Sequence, residues 1–119
     1  MDDEASVREM SADMLEDLGY DAVGAENGVE AIEIYEEAMK SGKPFDAVIM
    51  DLTIPGKMGG KEAIKELLKI DPKAKAIVSS GYSNDPIMAE YKKYGFLGFI
   101  VKPYKLEELS EVLHKVIAK

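Results

Sequence analysis

The run Ala47-Val48-Ile49-Met50, closed by Asp51, constrains this chain more than any other stretch. Uninterrupted apolar residues of this length suit a strand buried on both faces of a parallel sheet, whereas a half-exposed strand would alternate. Parallel strands need crossover connections, and the flanking sequence supplies them as helices. Ser6 to Leu18 has Val7, Met10, Met14 and Leu15 at helical spacing, with Ser6 placed to cap it and Gly19 to end it. Asn27 can cap a second helix running to about Lys40, with Ala31, Ile32, Tyr35 and Met39 on its inner face, before Ser41-Gly42-Lys43-Pro44 breaks it. Helices follow over Lys61 to Ile70, Asn84 to Tyr94 and Leu106 to Ala118. Between them lie strands at Asp21 to Ala25, Ala74 to Ser79 and Phe96 to Val101. Strands alternating with helices predict an α/β fold, one parallel sheet covered on both sides.

A chain of 119 residues makes one domain, 1–119, and its 46% hydrophobic content is enough for one packed core. The absence of Cys excludes disulfides and thiolate metal sites and fits a reducing cytoplasm. No apolar run approaches a membrane span, and no signal peptide precedes the first acidic residues. A net charge of -8 argues against direct nucleic-acid binding by this domain.

Ligands of open parallel sheets gather at the carboxyl ends of the strands. Asp2 and Asp3 precede the first helix, Asp51 ends the central run, Ser80 follows the next strand, and Lys102 follows the last. Carboxylates brought close together resist joint ionisation, and a hard divalent cation resolves that conflict. Mg²⁺ asks for one or two carboxylates, with water and phosphate oxygens completing its shell. A carboxylate nucleophile, a metal, a Lys cation and a hydroxyl donor together make a set suited to phosphoryl transfer. Each residue alone has an ordinary reading. An Asp after a strand is often a turn or cap residue, Asp2-Asp3-Glu4 can be a solvated start that favours the helix dipole, and Lys-Pro commonly marks a turn. The case rests on their joint placement at one sheet edge. His114 reads as a helix-surface residue, and the Met residues fall mostly at packing positions.

In order and spacing these residues resemble the response-regulator receiver domain of two-component signalling. Asp2-Asp3-Glu4 is similar to the acidic pair after that family's first strand, and Val48-Ile49-Met50-Asp51-Leu52 to the strand that delivers the phospho-acceptor. Pro55 with Met58-Gly59-Gly60 resembles the loop that follows, Ser80-Gly81 the hydroxyl position, and Val101-Lys102-Pro103 the Lys whose following peptide bond is usually cis. The stretch from Ser79 to Tyr82, with Gly56 to Gly60, looks most like receivers attached to PAS-containing hybrid sensor histidine kinases. The resemblance implies a flavodoxin-like doubly wound sheet of order 2-1-3-4-5. It implies Asp51 as phospho-acceptor from a histidine kinase or histidine phosphotransfer domain, assisted by Lys102 and Ser80. Mg²⁺ would be held by Asp2, Asp3, Asp51 and the Thr53 backbone carbonyl. Ser80 and Phe99 would form the switch that reshapes the face of the fourth helix, last strand and last helix, and Thr53 and Tyr82 would tune phosphate lifetime. Such a domain is a phospho-acceptor with slow self-dephosphorylation rather than a turnover enzyme.

The chain departs from the pattern in places. The Met58-Gly59-Gly60 turn lacks an acidic residue, the loop is one residue longer, and the switch pair is Ser80 and Phe99 where Thr and Tyr are commoner. The first strand of the expected order should end just before Asp2, where Met1 alone stands. Four or five buried apolar residues contribute about 1.5–3 kcal/mol each, comparable to a domain's net stability of roughly 5–15 kcal/mol. The expectation is therefore a sheet with its first strand missing, prone to self-association or strand exchange. Three other readings stay open: an inert pseudo-receiver serving as an interaction module, a flavodoxin-like cofactor protein, and an Asp-dependent phosphatase. The cofactor protein would need a phosphate-binding loop where Asp2-Asp3-Glu4 stands. The phosphatase would place a second Asp where Thr53 stands.

Overall fold

Three apolar runs form the middle of the molecule, a parallel sheet of β1 (Val48–Asp51), β2 (Ala76–Ser80) and β3 (Gly98–Val101), in that spatial order. The structure is a computed structural model and describes residues 1–81 and 85–118. Around the sheet lie α1 (Ala5–Asp17), α2 (Gly28–Lys40), α3 (Gly60–Ile70), α4 (Pro86–Ala89) and α5 (Leu106–Ile117). The side-chain period of two sends alternate residues of each strand into separate cores. Met50 and Val78 join Tyr35, Ile64, Leu67 and Phe96 on the side of α2 and α3. Ile77 and Ile100 join Leu109, Leu113 and Val116 on the side of α5, where Met14, Leu15 and Leu18 of α1 also pack. The fold is the flavodoxin-like α/β class, and the three strands correspond to the last three of the expected order.

Local sequence explains most boundaries. Asn27 Oδ1 accepts the Glu30 amide hydrogen at 3.1 Å and caps α2. Gly19, at φ +92°, follows the last turn of α1 in the left-handed conformation that an L side chain resists. Ser6 does not cap α1, which starts one residue earlier after Glu4; the Glu4 amide instead donates to Asp2 Oδ1 at 3.0 Å. The expected helix over 84–94 is shorter and divided. Asp85 is extended, as a residue before Pro must be, and its carboxylate accepts the Ile87 amide hydrogen to start α4 at Pro86. Beyond Glu90 the chain tightens into a 3₁₀ turn, Tyr91–Tyr94, and ends at Gly95 with φ +106°. Asn84 lies outside the described residues.

The expected strand over 21–25 does not form as a ladder. A strand exists by its partner, and the position between this segment and β1 is filled at one end alone. There the Met1 amine donates to the Ile49 carbonyl at 2.7 Å and the Asp51 amide to the Met1 carbonyl at 3.0 Å. The Asp2 amide donates to the Ala25 carbonyl at 3.0 Å. Met1 and Asp2 thus bridge β1 and the segment 21–25 through backbone hydrogen bonds at one end. Beyond them lies a cavity of about 470 Å³. Its effect shows in burial: all five residues of β2 are buried, whereas Val48 and Ile49 of β1 are half-buried and α1 has no buried residue. No helix among the described residues is long and apolar enough to cross a membrane.

Candidate functional site

The carboxyl ends of the three strands and the Met1-Asp2 segment meet at one edge of the sheet. Asp51, the last residue of β1, stands in register with Ser79, and Ser80 with Val101. The Lys102 amide donates to the Ser80 carbonyl at 2.8 Å, fixing the start of the loop that carries the Lys. The Lys102-Pro103 peptide bond is cis, as the resemblance implied. Gly59 and Gly60 bring the start of α3 against the β1 exit: a Cβ on Gly60 would lie 2.9 Å from the Asp51 carbonyl oxygen, and one on Gly59 2.7 Å from that of Leu52. The glycines of the Met58-Gly59-Gly60 turn are therefore required by close backbone approach.

Lys102 Nζ lies 2.9 Å from Asp2 Oδ2 and 3.2 Å from Asp51 Oδ1, so one ammonium bridges two carboxylates. Asp2, Asp3 and Asp51 each present an oxygen within 4.8 Å of the others, Asp2 and Asp51 buried and Asp3 exposed. Burial pushes the Asp51 carboxyl above its ordinary pKa; Lys102 pulls it back, and Asp2 and Asp3 push it up further. For Lys102, burial alone would lower the pKa, but the hydrogen bond to Asp2 and the Asp51 charge outweigh it and hold the ammonium above its usual value. Three carboxylates, bridged by Lys102 and with the buried Met1 amine also beside Asp2 and Asp51, carry an excess of negative charge in a partly dry site. Oxygen donors so arranged fit a hard divalent cation of the Mg²⁺ type.

Other expected residues fall as follows. Ser80 is buried at the end of β2. Thr53 is exposed two residues beyond Asp51, in the loop that Gly59 approaches. Phe99 is 46% exposed on edge strand β3, its ring 5.2 Å from that of Tyr91. Tyr82 lies outside the described residues. His114 is exposed on α5, away from the strand ends.

Sequence reasoning missed three supports of the site. Arg8 Nη1 donates to the Asp2 carbonyl at 2.8 Å, and Nη2 lies 3.7 Å from Glu26. Met1 pins Asp2 through the backbone bonds described above. The Ser79 and Tyr104 hydroxyls hydrogen-bond to each other in the buried layer beneath Lys102. The tandem Ser79-Ser80 at the end of an apolar strand was a signal for the last pair, since a buried hydroxyl needs a partner.

The model of the response regulator receiver domain matches residues 1–114. The chemotaxis protein CheY of Thermotoga maritima is 44% identical over 117 residues, covering 98% of this chain and 92% of that protein. The sensor kinase CckA of Brucella abortus is 34% identical over 119 residues, the whole of this chain and 12% of that protein. Among solved structures, the response regulator TrrA of Thermotoga maritima in complex with Mg²⁺ and BeF superposes with a TM-score of 0.78 at 32% identity, covering 96% of this chain and 92% of that one. With the fold, the acidic cluster and the Lys102 bridge in place, the chain belongs to the response regulator receiver domain family.

Proposed function

We propose that Asp51 is the phospho-acceptor of a two-component phosphorelay, supplied by a histidine kinase or a histidine phosphotransfer domain. The carrying observation is the buried Asp51 carboxylate at the end of β1, 3.2 Å from Lys102 and within 4.8 Å of two further carboxylates. An Asp51 oxygen attacks the phosphorus of a partner's phosphohistidine. The new P–O bond forms as the P–N bond breaks, and the electron pair returns to the imidazole nitrogen, which takes up a proton.

Asp2, Asp3, Asp51 and the Thr53 backbone carbonyl would hold Mg²⁺, which supplies neutralisation of charge on the phosphoryl oxygens. Lys102 exchanges its contact with Asp51 for one with a phosphoryl oxygen, and the Ser80 hydroxyl donates to another. Movement of Ser80 opens space that the Phe99 ring can enter, leaving its contact with Tyr91. The face of α4, β3 and α5 then changes shape and serves as output. Thr53 and, by the resemblance, Tyr82 tune the access of water to the acyl phosphate. A cytoplasmic location and no direct nucleic-acid contact belong to the same reading, the latter from the net charge of -8.

Incubation with acetyl phosphate and Mg²⁺, followed by intact-mass measurement, tests the assignment. One added phosphoryl group is expected in the parent and none in Asp51→Asn. An unmodified parent would leave the inert interaction module as the better reading. Equal acyl-phosphate lifetimes in the parent and Tyr82→Ala would remove Tyr82 from the tuning role.

A further inference from the structure

Ser79 touches both segments that carry the chemistry. It stands in register with Asp51 on β1 and with Ile100 on β3. Its carbonyl accepts the Leu52 amide hydrogen at 2.8 Å, so its backbone holds the residue after Asp51. Its hydroxyl pairs with that of Tyr104, two residues beyond Lys102. Packing alone does not ask for this pair. Tyr104 belongs to the cluster of Ile77, Ile100, Leu109 and Leu113, where a Phe ring would bury equally well. Ser79 ends a run of Ala76, Ile77 and Val78 and is itself fully buried. Two hydroxyls in a core that apolar residues could fill satisfy each other, and such departures concentrate at functional sites.

The Lys102 loop explains what the pair can do. A Lys ammonium rides on a flexible four-carbon stem, so its placement depends on how firmly the backbone beneath it is held. On one side, the Lys102 amide donates to the Ser80 carbonyl at 2.8 Å. On the other side, Pro103 has no amide hydrogen to give, and the Tyr104 hydroxyl supplies a second tie to β2. Burial holds the Tyr104 hydroxyl above its ordinary pKa; the Ser79 bond and the Lys102 charge pull it back, and Asp2 and Asp51 push it up. The pair therefore stays protonated and lies within electrostatic reach of the site.

We propose that Ser79 and Tyr104 are positioning residues for phosphoryl transfer: their hydroxyl pair ties the Lys102 loop to β2, so that the ammonium, 3.2 Å from Asp51, meets the phosphoryl oxygens arriving there. This rests on the reading of Asp51 as phospho-acceptor. Neither residue touches the phosphoryl group; both act through Lys102.

The test measures the rate of labelling by acetyl phosphate and Mg²⁺, with unfolding midpoints and Mg²⁺ titrations alongside. Ser79→Ala and Tyr104→Phe should each slow labelling by about tenfold to a hundredfold, the scale of a misplaced catalytic group. Mg²⁺ affinity should hold, because the carboxylates are untouched. The double variant strands no hydroxyl, so it should regain part of the stability while labelling as slowly as either single. In a Lys102→Ala background, Tyr104→Phe should slow labelling no further, since the two act as a unit. Labelling of Tyr104→Phe at the parent rate would overturn the proposal. So would a rate that recovers with stability in the double variant, a matching loss of Mg²⁺ affinity, or an equal slowing in the Lys102→Ala background. An unlabelled parent would remove Asp51 as acceptor and this role with it, whereas a labelled parent with unchanged variants would remove this role alone.

Discussion

The Lys102 ammonium lies 3.2 Å from Asp51 Oδ1 while also holding Asp2 at 2.9 Å. Asp2, Asp51 and Lys102 come from the start, the middle and the last fifth of the chain, and they meet because the strand exits share one edge. The bridge dominates the electrostatics of the site: the Lys102 ammonium offsets part of the repulsion among three carboxylates. What remains is an unfavourable charge that the fold tolerates for the sake of the chemistry.

That imbalance predicts a pH dependence. The Asp51 carboxyl is held above its unfolded value of 3.8, chiefly by burial. In the window between the unfolded and folded pKa values the folded state binds more protons, so stability falls as pH rises through that window. Asp51→Asn removes the titration while keeping the side-chain shape. The variant should be more stable than the parent at neutral pH, and the difference should shrink as pH falls towards 3.8. Denaturant melts from pH 4 to pH 7 measure this; a variant less stable than the parent at pH 7 would contradict it.

Divalent cation should act on the same charge. A ligand that binds the folded state alone stabilises it by RT ln(1 + [L]/Kd), about 2.7 kcal/mol at a hundredfold excess over Kd. Mg²⁺ should raise the parent's unfolding midpoint, and Asp3→Ala should lower the apparent affinity by removing one carboxylate. Asp3 is exposed, so this substitution disturbs little packing. Equal Mg²⁺ titrations for the two proteins would exclude Asp3 from the metal site.

Legibility in the sequence followed the range of the forces involved. The strand Val48–Asp51 and the helices α2 and α5 were readable because burial on a strand or one helix face imposes a period within a few residues. The convergence of Asp2, Asp51 and Lys102 was readable through topology, since parallel strands deliver their ends to one edge. The segment 21–25 was not, because its apolar residues suit a strand but the ladder depends on a neighbour the segment does not contain. The division at Glu90 carries no Gly or Pro to signal it, and the pairing of Ser79 with Tyr104 joins residues 25 apart in the chain, so both were equally hidden. Arg8, in an ordinary amphipathic helix, gave no sign of its hold on the Asp2 backbone.

The Gly60 contact predicts a backbone effect on the site. A methyl group there would lie 2.9 Å from the Asp51 carbonyl oxygen and 3.1 Å from Met50 Cβ. Neither neighbour is the free end of a flexible side chain, so the start of α3 or the end of β1 must shift. Gly60→Ala should destabilise by about 1–3 kcal/mol and slow phosphorylation of Asp51 in the acetyl phosphate assay. Gly56→Ala is the useful comparison: its strain comes from φ +72°, with open space around the added Cβ. It should cost stability with less effect on the labelling rate, and a reversed order would show that α3 does not position Asp51.

The Ser79–Tyr104 bond makes a distinct prediction, because both hydroxyls lie in the core next to the site. Tyr104→Phe removes one partner and leaves the fully buried Ser79 hydroxyl facing an apolar ring. An unsatisfied buried hydroxyl costs about 1–3 kcal/mol. Ser79→Ala alone likewise strands the Tyr104 hydroxyl, which is less enclosed because Tyr104 keeps some exposure. The double variant removes both polar groups, so its loss should fall below the sum of the single losses, giving a coupling energy of about 0.5–3 kcal/mol. Urea unfolding of the four proteins closes the cycle, and strict additivity would show that the two hydroxyls are satisfied separately.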